Sequence, residues 1–414
     1  MIYVLDKNNN PLMPTSRNGK VRHLLEDGKA IIVNRNPFTI KLLYDTTTFK
    51  QDITLGVDAG SKVVGLSATT EKNELYASEV ILRGDIVDLI ATRRQNRRTR
   101  RNRLRYRKPR FLNRVSTKKK GWLAPSIRHK IDTHLTAVSK VCELLPITNI
   151  IVETASFDIQ KIQNPDIQGK DYQEGEQLDF WNVREYVLFR DGHRCHGKKG
   201  CKNKILNVHH IESRKTGGDS PNNLITLCDK CHNAYHKGTL KKEFKRGQSF
   251  RDATFMGIMR WSLYGKLKDT YLPLSIAVEN TYGYLTKNKR IRSGFPKEHC
   301  IDAYCITKNL SALLLDKVLL QKKIRCHNRQ IHKANILKGG RQKLNQASYI
   351  VKGFRLFDKV NYKGQECFIT GRRATGYFAL KTINYNKVHD SAKAKDLKLL
   401  ETRGSFIVQN IVRE

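Results

Sequence analysis

Hydrophobic and polar positions divide the chain into short elements. Residues 1–52 mix brief apolar runs (IYVLD, AIIVN, FTIKLLYD) with turns, which predicts a small α/β or mostly β unit. At ITLGVDAG the period becomes two. Ile53, Leu55 and Val57 alternate with Thr54, Gly56 and Asp58. VVGLSAT and ELYASEVIL follow with turns between them, so a three-stranded meander is expected. The segment APSIRHKIDTHLTAVSKVCELLP has the spacing of an amphipathic helix, and NIIVETASFD that of a short buried strand. Further on, FMGIMRWSLYGKLKD is expected to be helical, SIAVENTYGYLTKNKR a strand and loop, and EHCIDAYCITKNLSALLL a helix. From Tyr349 to Val412 short strands alternate with glycine turns, the pattern of a small β-barrel. No internal repeat is seen.

Charge changes this picture. The 414 residues carry a net charge of +40, and 39% of them are hydrophobic, enough for ordinary cores. Such an excess of positive charge points to a polyanionic partner, nucleic acid first and an anionic membrane surface second. No run of eighteen apolar residues is present to span a bilayer, and MIYVLDKNNN lacks the pattern of an export leader. Between Leu89 and Ile131 there is no Asp or Glu, and RRQNRRTRRNRLRYRKPR is mostly arginine. Nothing breaks a helix before Pro109, so residues 85–108 are expected to form one helix, basic nearly all round. Such a helix repels itself in water and is stable against phosphates or an acidic partner. Arg94, Arg97, Arg98, Arg101 and Arg105 are its candidate nucleic-acid contacts, chosen by charge density. A solvated charged face or a localisation tract is the bland alternative.

The chemistry concentrates in the middle of the chain. Nine cysteines are too few for a disulfide scaffold. Four of them, Cys195, Cys201, Cys228 and Cys231, form two pairs about thirty residues apart, which suits a tetrahedral structural Zn²⁺. The first pair is wider than usual, and four reduced core thiols are the alternative. Among these cysteines lie the adjacent His209 and His210, then Asn223, then His232 and His236. Neighbours on a strand point to opposite sides, so one histidine can bind a metal while the other acts on water. His232 and His236 share a helix face, a good pair of ligands. His210 can take a proton from water near neutral pH, since an imidazole titrates near ~6.5, and Asn223 could hold its ring. A purely structural zinc finger with incidental histidines is the alternative. Elsewhere, Asp58 ends the alternating strand and Glu153 ends IIVE. His299 and Asp302 share a face of a predicted helix. Carboxylates so placed can converge on two Mg²⁺ ions that clamp a phosphodiester.

HHI, then NL before LCxxCH and a final His, resembles the HNH (ββα-metal) nuclease family over residues 190–240. The resemblance implies His209, His232 and His236 as metal ligands, His210 as general base and Asn223 as the orienting residue. GVDAGSKVVGLS, IIVE and HCIDAY resemble the three motifs of RuvC nucleases. They imply Asp58, Glu153 and Asp302 as Mg²⁺ ligands and His299 as the residue that helps activate water. The order of the parts, with PLMP at residues 11–14 and TYGYLTKNKR before HCIDAY, resembles the transposon-encoded IscB family, relatives of the CRISPR single-effector nucleases.

The resemblance implies an α+β / α/β multidomain fold: a split RNase H-like (RuvC) core, an inserted HNH domain, an arginine-rich bridge helix and a C-terminal small β-barrel. Its expected segments are 1–52 (PLMP), 53–84 (RuvC I), 85–113 (bridge helix), 114–158 (RuvC II), 159–182 (linker), 183–245 (HNH), 246–324 (linker and RuvC III) and 325–414 (target-adjacent-motif domain). The implied activity is RNA-guided cleavage of double-stranded DNA, directed by an omega RNA. HNH would cut the guide-paired strand and RuvC the displaced strand. The implied cofactors are Mg²⁺ at both centres and structural Zn²⁺. The implied state is a monomeric protein in a ribonucleoprotein, in a prokaryotic cytoplasm and on the nucleoid when bound to target, with no membrane partner. A protein-only HNH endonuclease of homing or restriction type, and a non-catalytic transposon-encoded RNA-binding protein, stand as alternatives.

Overall fold

A computed structural model describes residues 1–102, 123–154, 183–198, 200–213, 221–247, 251–325 and 347–413. Arg105, the end of the expected arginine helix, the linker 159–182 and nearly all of the basic stretch 325–345 lie outside the described residues. The chain divides into two compact units, 1–155 with 256–414, and 156–255.

The first unit begins with β1 (Tyr3–Leu5), α1 (Asn18–Glu26), β2 (Ala30–Arg35) and β3 (Phe38–Leu42). They form a three-stranded sheet in the order β1-β3-β2 whose core gathers Val4, Leu12, Val21, Ile40 and Leu42. β4 (Thr54–Asp58), β5 (Val63–Thr69) and β6 (Glu74–Ile81) are antiparallel neighbours, the expected meander. α2 (Ile86–Asn102) carries the arginines, α3 (Pro125–Cys142) starts at a proline, and β7 is Asn149–Glu153. A proline at a helix start wastes no hydrogen bond. In the second unit come α4 (Val183–Arg190), β8 (Leu206–His210), β9 (Leu224–Cys228) and α5 (Asp229–His236). The chain continues through α6 (Arg251–Tyr271), β10 (Ala277–Thr281), α7 (Gly283–Arg292), α8 (His299–Ile306) and β11 (Lys317–Lys323). It ends in β12 (Lys359–Tyr362), β13 (Gln365–Arg372), β14 (Tyr377–Lys381), β15 (Lys387–Lys393), β16 (Leu397–Glu401) and β17 (Phe406–Val412).

A seven-stranded mixed sheet dominates the first unit, in the order β10-β7-β4-β5-β6-β11-β17. β7 runs parallel to both β4 and β10, and β11 parallel to β6. The alternation in ITLGVDAG predicted a strand, and β4 is that strand. In the fold Leu55 to Asp58 are all buried, because β4 is central and covered on both faces. One cover is α8. A β-carbon on Gly56 would come 2.0 Å from the Ala303 carbonyl oxygen, and one on Gly65 would come 1.8 Å from that of His299. These two glycines let the helix backbone lie directly on β4 and β5, which sets His299 and Asp302 at the end of β4.

Three expectations change. The TYGYLTKNKR loop is a strand end followed by helix α7, since its Leu, Lys and Arg residues favour helix once Gly283 has turned the chain. The helix expected over EHCIDAYCITKNLSALLL stops at Ile306, where Lys308 takes a positive φ of 71°. The C-terminal β region is a five-stranded antiparallel sheet, β15-β14-β13-β12-β16, with β15 and β16 at its edges. Its core is built on Val360, Cys367, Ile369, Phe378 and Leu380. β17 does not join it. It pairs instead with β11 from Phe406 to Val412. Arg413 then holds the buried Glu74 at 2.9 Å, and Glu74 also accepts from Ser67 Oγ at 2.6 Å and the Leu315 amide at 2.9 Å. A buried carboxylate with these partners is satisfied.

The second unit is a ββα element preceded by α4. β8 and β9 form a two-stranded antiparallel ladder from Leu206–Cys228 to His210–Leu224. Tyr186 and Val187 of α4 pack with Leu224 beneath it. Arg190 clasps the loop by donating to the carbonyls of Pro221 (2.8 Å) and Leu224 (2.9 Å). Among the described residues, no helix is long and apolar enough to cross a membrane.

Candidate functional site

In the second unit, the ββα element brings its histidines together. His209, on β8, is buried and packs edge-on against His232 and His236, each at a ring-centroid distance of 5.1 Å. His232 and His236 meet edge-on at 4.6 Å, one turn apart on α5. One ligand atom from each of the three lies within 4.8 Å of the others. Tyr235, at 4.9 Å, and Phe244, at 6.4 Å, wall His209. Burial holds the His209 imidazole down at about 4, and the neighbouring histidines add to the effect. Burial and His236 lower His232 as well. Both shifts favour the neutral ring, the state a metal requires. The His209 Nε2 is buried and has no hydrogen-bond partner among the described residues. An orphaned nitrogen within a cluster of three imidazoles fits a divalent cation.

His210 follows at the last position of β8 and, by the pleat, leaves on the opposite side. Asn223 is fully buried. Its side chain donates to the Glu212 carbonyl at 3.0 Å and accepts from the Glu212 amide at 2.8 Å, and its own carbonyl accepts from the Ile211 amide at 2.9 Å. These bonds fix the backbone just past His210.

The four cysteines also converge, with one sulfur from each lying within 4.8 Å of the rest. The sulfurs of Cys201 and Cys228 are 3.6 Å apart, and those of Cys231 and Cys201 are 3.9 Å apart. Among the described residues none of the four forms a disulfide. Backbone amides point at the sulfurs: Gly197 and Cys228 donate to Cys195 at 3.3 and 3.1 Å, and Cys231 donates to Cys228 at 3.3 Å. The wide Cys195–Cys201 spacing is accommodated by two glycines. Gly200 turns at φ +75°, and a β-carbon on Gly197 would come 2.7 Å from Cys231 Sγ. Burial pushes the Cys231 thiol up to about 12. A bound cation reverses that preference, because metal-bound sulfur is thiolate. The set is a potential structural zinc site.

In the first unit, strand ends and one helix bring the carboxylates together. Asp58 ends β4, Glu153 ends the adjacent parallel β7, and α8 contributes His299 and Asp302. His299 Nδ1 lies 2.6 Å from Asp58 Oδ2. Burial drives Glu153 up to about 7, with Asp58 and Asp302 adding to it. Burial and then Asp58 raise Asp302. The hydrogen bond to Asp58 raises His299 against the effect of burial. These acids therefore feel one another's charge. Two cations that sequence reasoning missed are present. Arg260 of α6 reaches Glu153 Oε1 at 3.0 Å and the Ala59 carbonyl at 2.9 Å, and Arg290 of α7 reaches Asp302 Oδ1 at 2.8 Å. No local pattern marks them, since each partner lies on another element. Three carboxylates supply hard oxygen donors here, two of them already paired with arginine.

Of the arginine-helix candidates, Arg94, Arg97 and Arg98 are exposed on α2 and Arg101 is half-buried.

Two family models match the chain: RRXRR protein over residues 2–175 and HNH endonuclease over residues 193–238. The second spans the thiol and imidazole clusters. No curated protein matches. Among solved structures, the chain is similar to Streptococcus thermophilus Cas9 in complex with the AGAA PAM. That match has 15% identity and a TM-score of 0.34, and covers 51% of this chain and 30% of that one. It is also similar to the same organism's Cas9 in complex with AGGA PAM, at 13% identity and a TM-score of 0.35, with 51% and 30% covered. The chain thus spans about 30% of the length of those Cas9 chains. An HNH nuclease domain in a mixed α/β multidomain chain, with a three-imidazole metal set in place, supports metal-dependent cutting of DNA.

Proposed function

We propose that the chain is an RNA-guided DNA endonuclease of the IscB kind with two nuclease centres. The observation that carries this reading is the meeting of Asp58, Glu153, His299 and Asp302 at one end of the seven-stranded sheet. The HNH match falls between the second and third of the segments that supply them. In this reading the sheet is a split RNase H-like RuvC core, interrupted in sequence by the HNH domain.

Divalent cations at both centres supply charge stabilisation to the phosphate and the leaving oxygen. Asp58, Glu153 and Asp302 would hold Mg²⁺ in one centre, and His209, His232 and His236 in the other. Cys195, Cys201, Cys228 and Cys231 would hold Zn²⁺ and close the HNH domain. His210 takes the proton of the attacking water in the HNH centre, and Asn223 fixes the backbone beside it. His299, held by Asp58, does the corresponding work in the RuvC centre. HNH would cut the guide-paired strand and RuvC the displaced strand.

The omega RNA is held by phosphate contacts. Arg94, Arg97, Arg98, Arg101 and Arg105 of the bridge helix position it without reading its sequence. Base pairing reads the target, and the C-terminal β domain reads a short adjacent motif in the duplex. In this reading the segments are the ones expected from the sequence, with β17 pairing to β11 in the central sheet. The working form is one protein copy in a ribonucleoprotein, acting in a prokaryotic cytoplasm on the nucleoid.

The test is to purify the protein expressed with its native flanking locus and to sequence the nucleic acid that copurifies. A single structured non-coding RNA with a variable end is expected. Heterogeneous nucleic acid that salt removes would contradict guidance. It would favour the second reading, a protein-only HNH endonuclease. That reading draws on the fact that the thiol and imidazole clusters are complete within one unit.

A further inference from the structure

The turn between β10 and α7 places two tyrosines beside a candidate catalytic carboxylate. Thr281, the last residue of β10, is in register with Glu153 on β7, and the Thr154 amide donates to the Thr281 carbonyl at 2.8 Å. Two residues on, Gly283 passes so close to Glu153 that a β-carbon there would lie 2.9 Å from Oε1. Tyr282 and Tyr284 flank this glycine. Their rings are nearly parallel, at 12° and a centroid distance of 6.1 Å, and both are exposed, Tyr284 at 63%. Exposed aromatic rings stacked on each other and fixed by a strand end serve no core. The helix they introduce, α7, carries Lys287, Lys289, Arg290 and Arg292. A π-surface beside a run of positive charge and a phosphodiester-cleaving centre has the composition of a single-strand nucleic-acid platform.

We propose that Tyr282 and Tyr284 form a base-stacking subsite for the single DNA strand cut at the Asp58–Glu153–Asp302 centre, holding an unpaired nucleobase next to the scissile phosphate. This rests on the two-centre reading above. The glycine lets the turn touch Glu153, so a base seated on the rings fixes the distance from its own phosphate to the carboxylates. Stacking tolerates any base, which suits an enzyme whose sequence reading is done elsewhere. Arg290, already at the site through Asp302, supplies the matching charge for the backbone.

The experiment uses the full chain with its copurifying RNA and a matching duplex target, and follows each strand separately. Tyr284→Ala is expected to slow displaced-strand cutting about tenfold, with Tyr282→Ala similar and Tyr284→Trp near wild type. Cutting of the guide-paired strand is unchanged in all of them. An abasic nucleotide beside the displaced-strand cut should slow the wild type by the same factor and slow Tyr284→Ala no further. In Asp58→Ala, 2-aminopurine at that position should be quenched on binding, and adding Tyr284→Ala should restore its fluorescence. Unchanged cutting in the tyrosine variants, or losses from the abasic site and Tyr284→Ala that multiply, would overturn the subsite while leaving the two-centre reading intact. Continued displaced-strand cutting by Asp58→Ala would overturn both.

Discussion

The two candidate centres solve opposite electrostatic problems. The histidine centre is assembled within one stretch of chain, by one ladder and one short helix. Burial and mutual repulsion push two of its imidazoles toward the neutral form, and His209 keeps a buried nitrogen without a partner among the described residues. The carboxylate centre is assembled from strand ends and a helix widely separated in sequence. Its acids are crowded and buried, which raises Glu153 and Asp302, and the protein's own cations, Arg260 and Arg290, stand against them, with His299 hydrogen-bonded to Asp58. One centre lacks charge and is open to a cation. The other holds excess negative charge that side chains already balance. A local site can thus be left chemically incomplete, whereas a site assembled over long distances must stay stable before its metal arrives.

Removing zinc breaks the comparison most severely. A small ββα unit depends on its metal, and structural zinc contributes ~10–16 kcal/mol of apparent binding energy in comparable small folds. Cys228→Ser, or a strong chelator, is expected to unfold residues 183–247 and abolish guide-paired-strand cutting. The first unit should keep its own melting transition. Calorimetry with thiol titration would show four newly reactive cysteines after chelation and three in Cys228→Ser. A single shared transition would contradict the separation.

Arg260→Ala comes next. It strips the partner from a buried carboxylate, and breaking such a pair costs about 3–5 kcal/mol. The loss should appear in the transition of the first unit by thermal or urea unfolding, and Glu153→Gln in the same chain should recover much of it. An unchanged midpoint would mean that the pair contributes nothing.

Gly65→Ala is a smaller and more local change. Its β-carbon would meet the His299 carbonyl, so α8 must lift from β5, at a cost of about 1–3 kcal/mol. Displaced-strand cutting should fall with guide-paired-strand cutting unchanged. Equal loss on both strands would contradict independent centres.

Acidity gives the mildest separation. Glu153 titrates at about 7, so below that pH a metal must displace its proton, and affinity falls by at most about tenfold per pH unit. His209, at about 4, stays unprotonated throughout that range. Lowering the pH from 8 to 6 should therefore weaken Mn²⁺ binding at the carboxylate centre first, as followed by titration calorimetry on Asp58→Ala and His232→Ala. Parallel loss at both would contradict the assigned charges.

The contrast also explains what could be read in the sequence. The histidine and cysteine sets were legible because their spacing is local. The one departure, the wide Cys195–Cys201 interval, follows from Gly197 and Gly200, whose turn draws the first thiol pair in. Asp58 and Glu153 were legible as ends of apolar runs, and His299 and Asp302 as a helical pair. Their convergence depends on Gly56 and Gly65 lying under α8, a long-range contact that periodicity cannot show. Arg260 and Arg290 were missed for the same reason. The return of β17 to the central sheet was hidden because its strand pattern matches that of its neighbours, and its destination is fixed by pairing with β11 and by the buried Glu74–Arg413 pair.

The most direct test of the central claim is strand-resolved cleavage by two single variants, Asp58→Ala and His210→Ala, each loaded with the copurifying RNA and given a matching duplex labelled on both strands. Two separate centres predict two nickases: Asp58→Ala cuts only the guide-paired strand, and His210→Ala cuts only the displaced strand. If either change abolishes both cuts, or leaves both intact, the account of two independent nuclease centres is wrong.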